Sequence, residues 1–397
     1  MGIKKIHIFA LAAYGQGLSG SDRIFIEFAR RWNKRAKVSI WVSQEGYELC
    51  KRQQLSLSGV NYLVSSMKPW RNFGFLINYL ARILEGIRVG LTVSLDNQPK
   101  TIVYSASEFW MDSIPAWILK LRFPKIKWVA AWYQTAPKPW VGFTEGKRDN
   151  TYKLSALVYW FIQLPTRNLI NKFADFVLVN NENERLNFPR LNKMGRVIIV
   201  YGAVDLEQIR KWKVKFKKLP KIYDAVFQGR FHPQKGVIEL IDIWRYVVDQ
   251  KSDARLIMIG DGPLMKNLKI KIKNLKLEKN IIVKGYLFDG GDKYKIFSQS
   301  KIVLHPSFYD SGGMAAGEAM AFGLPCIGFD LDSYKSYYPK GMIKVDIGNL
   351  EKFANVVISL LNDQLMRDRI GAEGLDMLKK NWSWDKRAEE IFNEIHQ

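Results

Sequence analysis

Short apolar runs of four to six residues alternate with amphipathic stretches almost from one end of the chain to the other, and this alternation restricts the fold more than any other feature. Such runs are the mark of strands buried on both faces, as in parallel sheets covered by helices. They predict strands at 6–11, 38–42, 101–105, 128–132, 176–179 and 197–200, and the series then restarts at 223–227, 255–259, 281–283, 302–304, 326–329 and 342–345. An α/β fold of two doubly wound units in tandem accounts for the pattern.

A chain of 397 residues has room for two or three domains. The basic, poorly periodic stretch Lys211-Trp212-Lys213-Val214-Lys215-Phe216-Lys217-Lys218-Leu219-Pro220 closes on a proline and is expected to join the units. The expected divisions are a first domain at 1–205, a linker at 206–221, a second domain at 222–380 and a closing segment at 381–397. Open α/β sheets bind ligands beyond the carboxyl ends of their strands, so two such units facing one another would hold a site in the cleft between them.

Several classes are excluded. Apolar and aromatic residues recur throughout, which rules out disorder over most of the length. Cys50 and Cys326 are the only cysteines, without metal-ligand spacing, so neither a disulfide scaffold nor a structural zinc is expected. The opening run 6–11 is too short for a signal peptide and ends in Gly15, Gly17 and Gly20, as a strand does that feeds a glycine turn and a helix from about Asp22. No apolar window approaches the roughly 20 residues of a membrane-spanning helix.

Charge is the strongest compositional departure, at +23. Residues 1–200 hold 29 Lys and Arg against 13 Asp and Glu, hence +16, together with 9 of the 13 tryptophans. Basic charge interleaved with aromatic rings suits an anionic membrane or a nucleic-acid backbone. On the segment from Lys68 to Arg88, Phe73, Leu76, Ile77, Leu80, Leu84 and Ile87 share one helical face, as in an interfacial helix or one that covers the first sheet.

Two motifs carry chemistry. In Gly229-Arg230-Phe231-His232-Pro233-Gln234-Lys235-Gly236, a glycine turn, two cations and a helix start converge just after a strand, as suits a diphosphate. In the second, from Pro306 through Asp310-Ser311-Gly312-Gly313-Met314 to Glu318 and Pro325, two carboxylates eight residues apart flank a Gly-Gly pair that opens a helix. Asp310 would then serve sugar hydroxyls and Glu318 a ribose. Each motif alone is equally an ordinary loop or helix surface. The Asp330-Leu331-Asp332 triplet matches a metal-binding pattern but follows a strand in a two-unit chain, and no metal site is assigned to it.

Together with Leu256-Ile257-Met258-Ile259-Gly260-Asp261-Gly262-Pro263, Val283-Lys284-Gly285-Tyr286 and Glu318-Ala319-Met320-Ala321-Phe322-Gly323-Leu324-Pro325, these motifs resemble glycosyltransferase family 4 in order and spacing. The resemblance implies the GT-B fold, two Rossmann-like doubly wound domains facing across a cleft, and a retaining, metal-independent hexosyltransferase. It implies a UDP- or GDP-sugar donor, no cofactor, and a saccharide or lipid-linked acceptor held by the first domain. It makes Arg230, Lys235 and Asp310 the catalytic residues, and Gly17, Gly229, Arg230, Lys235, Gly285, Tyr286, Asp310, Gly312, Gly313, Met314 and Glu318 the donor-binding ones. Asp310 replaces a glutamate of the family, and Tyr201 stands where relatives often have asparagine. The histidine that many relatives carry after the fourth strand is missing from Ala130-Ala131-Trp132-Tyr133-Gln134-Thr135. An anionic membrane surface is the expected partner, on the cytoplasmic side, with nucleic acid not expected. A basic nucleic-acid- or membrane-binding protein with a degenerate site, or a sugar-nucleotide epimerase, is the alternative.

Overall fold

A computed structural model of the chain describes residues 4–15, 17–55, 59–66 and 74–397. The residues Lys68 to Phe73 of the expected interfacial segment lie outside these. The chain divides into two units, of which the first comprises Met1–Ala136, Val158–Val200 and Trp384–Gln397. Its described strands are β1 (Lys5–Phe9), β2 (Lys37–Ser43), β3 (Asn61–Ser65), β4 (Thr101–Ser105), β5 (Lys127–Trp132), β6 (Phe176–Val179) and β7 (Val197–Ile199). They form one parallel sheet in the order β3-β2-β1-β4-β5-β6-β7. Strand β4, at the centre, is buried at every residue. Strand β3 is absent from the sequence expectation for a physical reason: it is an edge strand, half exposed, whose apolar run Tyr62-Leu63-Val64 is only three residues long between the polar Asn61 and Ser65.

The helices along this part of the chain are α1 (Gly20–Trp32), α2 (Gln44–Arg52), α3 (Gly74–Thr92), α4 (Trp110–Arg122), α5 (Lys153–Phe173) and α6 (Pro189–Lys193). Helix α1 starts two residues before the expected position because Ser19 and Asp22 form a capping box. The strand order reverses at β1, so right-handed crossovers place α1 and α2 on one face of the sheet and α3, α4 and α5 on the other.

The second unit comprises Pro137–Leu157 and Tyr201–Ser383. Its strands β8 (Tyr223–Gln228), β9 (Leu256–Ile259), β10 (Ile281–Gly285), β11 (Ser300–His305), β12 (Cys326–Phe329) and β13 (Met342–Val345) are parallel, in the order β10-β9-β8-β11-β12-β13. Around them lie α7 (Leu206–Lys215), α8 (Val237–Gln250), α9 (Met265–Asn274), α10 (Gly291–Ser298), α11 (Met314–Met320), α12 (Asp332–Tyr337), α13 (Leu350–Asn362) and α14 (Gln364–Asn381). One core includes Phe231, Leu240, Trp244, Phe353 and Leu360, and the other Phe297, Ala319, Tyr334, Tyr338 and Trp382.

Two expected boundaries need correction. Residues 137–157, assigned above to the first domain, pack with the second unit: Arg148 pairs with Glu239 at 2.7 Å and its guanidinium lies 4.3 Å from the Phe308 ring centroid. The linker expected at 206–221 contains α7, capped by Asp205 and belonging to the second unit. Gln208 of α7 accepts a hydrogen bond from Tyr294 at 3.0 Å, and the Trp212 ring lies against Gly291. The lysines fill the exposed side of α7 and hide its apolar stripe of Ile209, Trp212 and Phe216.

The last helix, α15 (Trp384–Ile395), returns to the first unit and packs on α1. Trp32 Nε1 donates to the Ala388 carbonyl at 2.8 Å, and Arg31 pairs with Asp385 at 2.8 Å.

Candidate active site

The strand order of the second sheet reverses between β8 and β11, which are hydrogen-bonded neighbours. Their crossovers leave in opposite directions, so the loops beyond their carboxyl ends diverge and leave a crevice. Those loops are 229–236 and 306–313, the two stretches singled out in the sequence. Each turns into a helix through a glycine with positive φ: Gly236 (φ 62°) before α8 and Gly313 (φ 63°) before α11. A side chain is excluded at both, since a Cβ on Gly236 would lie 2.0 Å from the Pro306 carbonyl oxygen and one on Gly313 would lie 2.5 Å from His305 Nε2. The first-turn N–H groups of α8 and α11 are thereby set at the crevice without intrahelical acceptors.

Asp310 is the hub of this crevice. Its carboxylate pairs with Lys235 and accepts hydrogen bonds from Tyr334 OH (3.0 Å), Ser307 Oγ (3.3 Å) and the backbone N–H groups of Ser311 (2.9 Å) and Gly312 (3.4 Å). His305 Nε2 lies 3.3 Å away. Burial by itself would raise the Asp310 pKa, but Lys235 and His305 together hold it well below the usual carboxylate range. Burial lowers the His305 pKa against the pull of Asp310. The loop is fixed from behind by α12 and the residue after it: Ser333 Oγ donates to the Asp310 carbonyl at 2.8 Å and Tyr338 OH to the Gly313 carbonyl at 2.6 Å. The Lys235 side chain retains 13% of its accessible surface, and Arg230 is exposed. His232, which caps the short turn around Pro233–Lys235, is driven down to about 3 by burial and by the nearby cations Arg230, Lys235 and Arg148.

Glu318 sits on α11, one turn in from its start, and accepts from Gln228 Nε2 at 2.9 Å and from Lys293 Nζ at 2.7 Å. Lys293 is buried, with 2% of its side chain exposed, and also pairs with Asp289. A buried ammonium between two carboxylates fixes the position of both. Sequence reasoning missed Lys293, since a single lysine on α10 carries no pattern. It also missed His305, whose place at the last residue of β11, next to the motif, was an available signal.

Residues Arg230, Lys235, Asp310, Gly312, Gly313, Met314 and Glu318 thus share the two loops and the helix at the switch point, with Gly229 at the end of β8. Gly285 (φ 74°) ends β10, two strands away, and Tyr286 follows it; the Gly285 carbonyl accepts from Gly260 N at 2.9 Å and Tyr286 packs edge-on against Phe288. Gly17 is exposed in the turn after β1, in the first unit. Asp310 is turned inward on its own loop, so the geometry makes it the residue that positions Lys235 and the N–H groups of 311–312. Asp332 pairs with Lys335 on the surface, and among the described residues no three His, Cys, Asp or Glu side chains cluster as metal ligands.

The first sheet has its own switch point, between β1 and β4. There the chain after β1 is clamped by buried side chains. Arg82 donates to the carbonyls of Leu11 (2.6 Å) and Ala13 (3.2 Å) and pairs with Glu45 at 2.6 Å, while Asp112 accepts from Ala12 N at 3.0 Å and Ser107 Oγ at 2.5 Å. Burial pushes Asp112 up to about 8 and Glu108 up to about 7. Beside them, Glu184 accepts from the backbone N–H of Thr135 at 2.9 Å, in the stretch after β5.

Sequence comparison assigns the second unit. The family model described as Glycosyl transferases group 1 matches residues 208–377. This segment belongs to that family. The glycosyltransferase group 1 segment includes both loops, α11 and Lys293. Poly(glycerol-phosphate) alpha-glucosyltransferase of Bacillus subtilis (strain 168) is 26% identical over 161 residues, 40% of this chain and 24% of that protein. UDP-Gal:alpha-D-GlcNAc-diphosphoundecaprenol alpha-1,3-galactosyltransferase of Escherichia coli is 25% identical over 203 residues, 48% of this chain and 52% of that protein. The chain therefore spans only about a quarter to a half of the length of these curated relatives. Solved structures agree over the whole chain. Anabaena HepE in complex with UDP and glucose has a TM-score of 0.72 at 16% identity, covering 99% of both chains. A Staphylococcus aureus TarM variant in complex with fondaparinux, alpha-GlcNAc-glycerol and UDP has a TM-score of 0.72 at 13% identity, covering 100% of both. The fold is GT-B.

Proposed function

We propose that the chain is a retaining glycosyltransferase that moves a hexose from a UDP-sugar, or a GDP-sugar, to a saccharide or lipid-linked acceptor presented at the cytoplasmic face of a membrane. The observation that carries this reading is the switch-point crevice of the second sheet, where Lys235 and two helix starts lie beside a Glu318 held by Lys293. The relatives named for glucosyl and galactosyl transfer, and the neighbours described with UDP, support it.

Cleavage of a glycosyl diphosphate develops negative charge on the leaving phosphate and positive charge on the sugar ring. Cations preset at the phosphate lower that barrier, and Lys235, oriented by Asp310, supplies one while exposed Arg230 supplies another. Glu318 accepts from the ribose hydroxyls. With no nucleophile assigned beside the sugar, substitution proceeds at the front face, and the leaving phosphate takes the proton of the acceptor hydroxyl. The phosphate charge is met by side-chain cations and N–H groups, so the reaction needs no metal.

A thermal-shift panel of UDP, GDP and their sugars tests the donor part without an acceptor. One diphosphonucleotide stabilises the wild type and not Glu318→Ala. If no nucleotide raises the melting temperature, the proposal fails. An inverted anomeric centre in the first product would refute retention.

A further inference from the structure

We propose that the outer face of α3 and α5 is a docking surface for an anionic lipid bilayer. Helix α3 packs on α4 through Gly86 and Gly90, where a Cβ would lie 2.8 Å from the Met111 carbonyl oxygen and 3.0 Å from Pro115 Cα. At 100° per residue, Leu80 and Leu84 point away from that contact. They are half or more exposed, as is Leu76 one turn before them. On α5 the same holds: Gln163 is buried beneath the helix, and Phe161, about half a turn round, is 66% exposed, with Val158 beside it. Helix α4 lies between the two, its Trp110 Nε1 donating to the Ile162 carbonyl of α5 and its Trp117 ring 6.0 Å from that of Phe173. The apolar residues thus belong to one layer on one face of the sheet. On the opposite face, α15 packs over α1.

Charge selects the occupant. Setting aside Arg82 and Asp112, which are buried, and the Glu85–Arg88 pair, helices α3, α4 and α5 keep five Lys and Arg and no acid: Lys120, which pairs with Asp175, Arg122, Lys153, Arg167 and Lys172. Exposed apolar side chains within a cationic surround match the interface of a bilayer that contains anionic lipid. A second copy of the same face would bring like charges together. No described helix is long and apolar enough to cross a membrane, so these helices would lie on it. The inference rests on the membrane part of the proposed function and is independent of the donor part.

Flotation of the full chain with phosphatidylcholine vesicles, with and without phosphatidylglycerol, provides the test. The protein floats with the anionic vesicles and comes off them as salt is raised. The double variant Leu80→Glu/Phe161→Glu, altered only at exposed positions and checked for an unchanged melting temperature, partitions about tenfold or more less well. Equal recovery with neutral vesicles, or an undiminished double variant, overturns the proposal. So does self-association in sedimentation that the double variant abolishes while vesicles capture neither protein. The UDP thermal shift is read on the same samples: failed flotation with an intact shift sinks the docking surface and leaves the donor site standing.

Discussion

In the second unit, the strands that flank the switch point end in loops bearing Arg230, Lys235 and an Asp310 held ionised; in the first, the corresponding loops are clamped by Asp112 and Glu108, which burial drives toward their neutral forms. The same backbone crevice is thus finished with opposite electrostatics. Where a carboxylate meets a buried ammonium, charge survives burial. Where burial outweighs the hydroxyl and backbone N–H donors, the carboxyl pKa rises. The one buried cation described at the first switch point, Arg82, is engaged by two carbonyls, Ser43 and Glu45, and so shapes the turn after β1 instead of offering charge to a ligand.

The contrast is sharpest at Lys235. Lys235→Ala should lower the rate of UDP release from a UDP-sugar by about 10²–10³-fold, the cost of losing one preset donor to a developing oxyanion. It should also cost about 3–5 kcal/mol of stability by leaving the Asp310 carboxylate buried without its ammonium. The double variant Lys235→Met/Asp310→Asn should recover most of the stability, read by urea denaturation, and none of the activity. Full activity in that double variant would end the assignment.

Lys293→Met comes next. It leaves Glu318 and Asp289 facing each other without their cation, and about 2–4 kcal/mol of stability should go with it. Restoring neutrality with Lys293→Met/Glu318→Gln should return stability while the nucleotide-induced thermal shift stays lost. A normal shift in Lys293→Met would show that Glu318 needs no fixing.

The pH dependences contributed by Asp112 and Glu108 in the first unit and by His232 in the second should run in opposite directions. Asp112 and Glu108 have folded pKa values above their unfolded ones, so the stability they contribute is present at low pH and is lost as pH rises through about 7 to 8. His232 is depressed to about 3, so its contribution is present above its unfolded value near 6.5 and is lost as pH falls toward 3. Asp112→Asn should therefore flatten the alkaline limb of melting temperature against pH, and His232→Gln the acid limb, each by on the order of 1–2 kcal/mol. If the two variants altered the same limb, the electrostatic contrast would not hold.

The smallest effect belongs to the surface. Asp332→Asn breaks an exposed pair with Lys335 and should change stability by less than about 0.5 kcal/mol and leave activity unchanged. Activity lost in this variant, or on chelation and restored by manganese, would make the Asp330-Leu331-Asp332 triplet a metal site after all.

Much of this was legible in the sequence because it is written in local chemistry. Continuous apolar runs announce strands buried on both faces, and four of the expected strands, 101–105, 176–179, 326–329 and 342–345, have the bounds found in the fold. The glycines at 236 and 313 mark the helix starts because only a residue without a Cβ fits there. Edge and surface elements were harder. Strand β3 has only a three-residue apolar run between polar ends, and the stripe of α7 is masked by its lysines.

The sequence by itself determined the doubly wound units and the two motif loops, since periodicity and glycine placement are properties of neighbouring residues. Tertiary structure alone decided that 137–157 pack with the second unit, that Asp310 turns inward on Lys235, and that Lys293 and Glu318, 25 positions apart, form one ion pair. Ionisation in a buried site depends on which groups converge from distant parts of the chain, and no local pattern records that convergence.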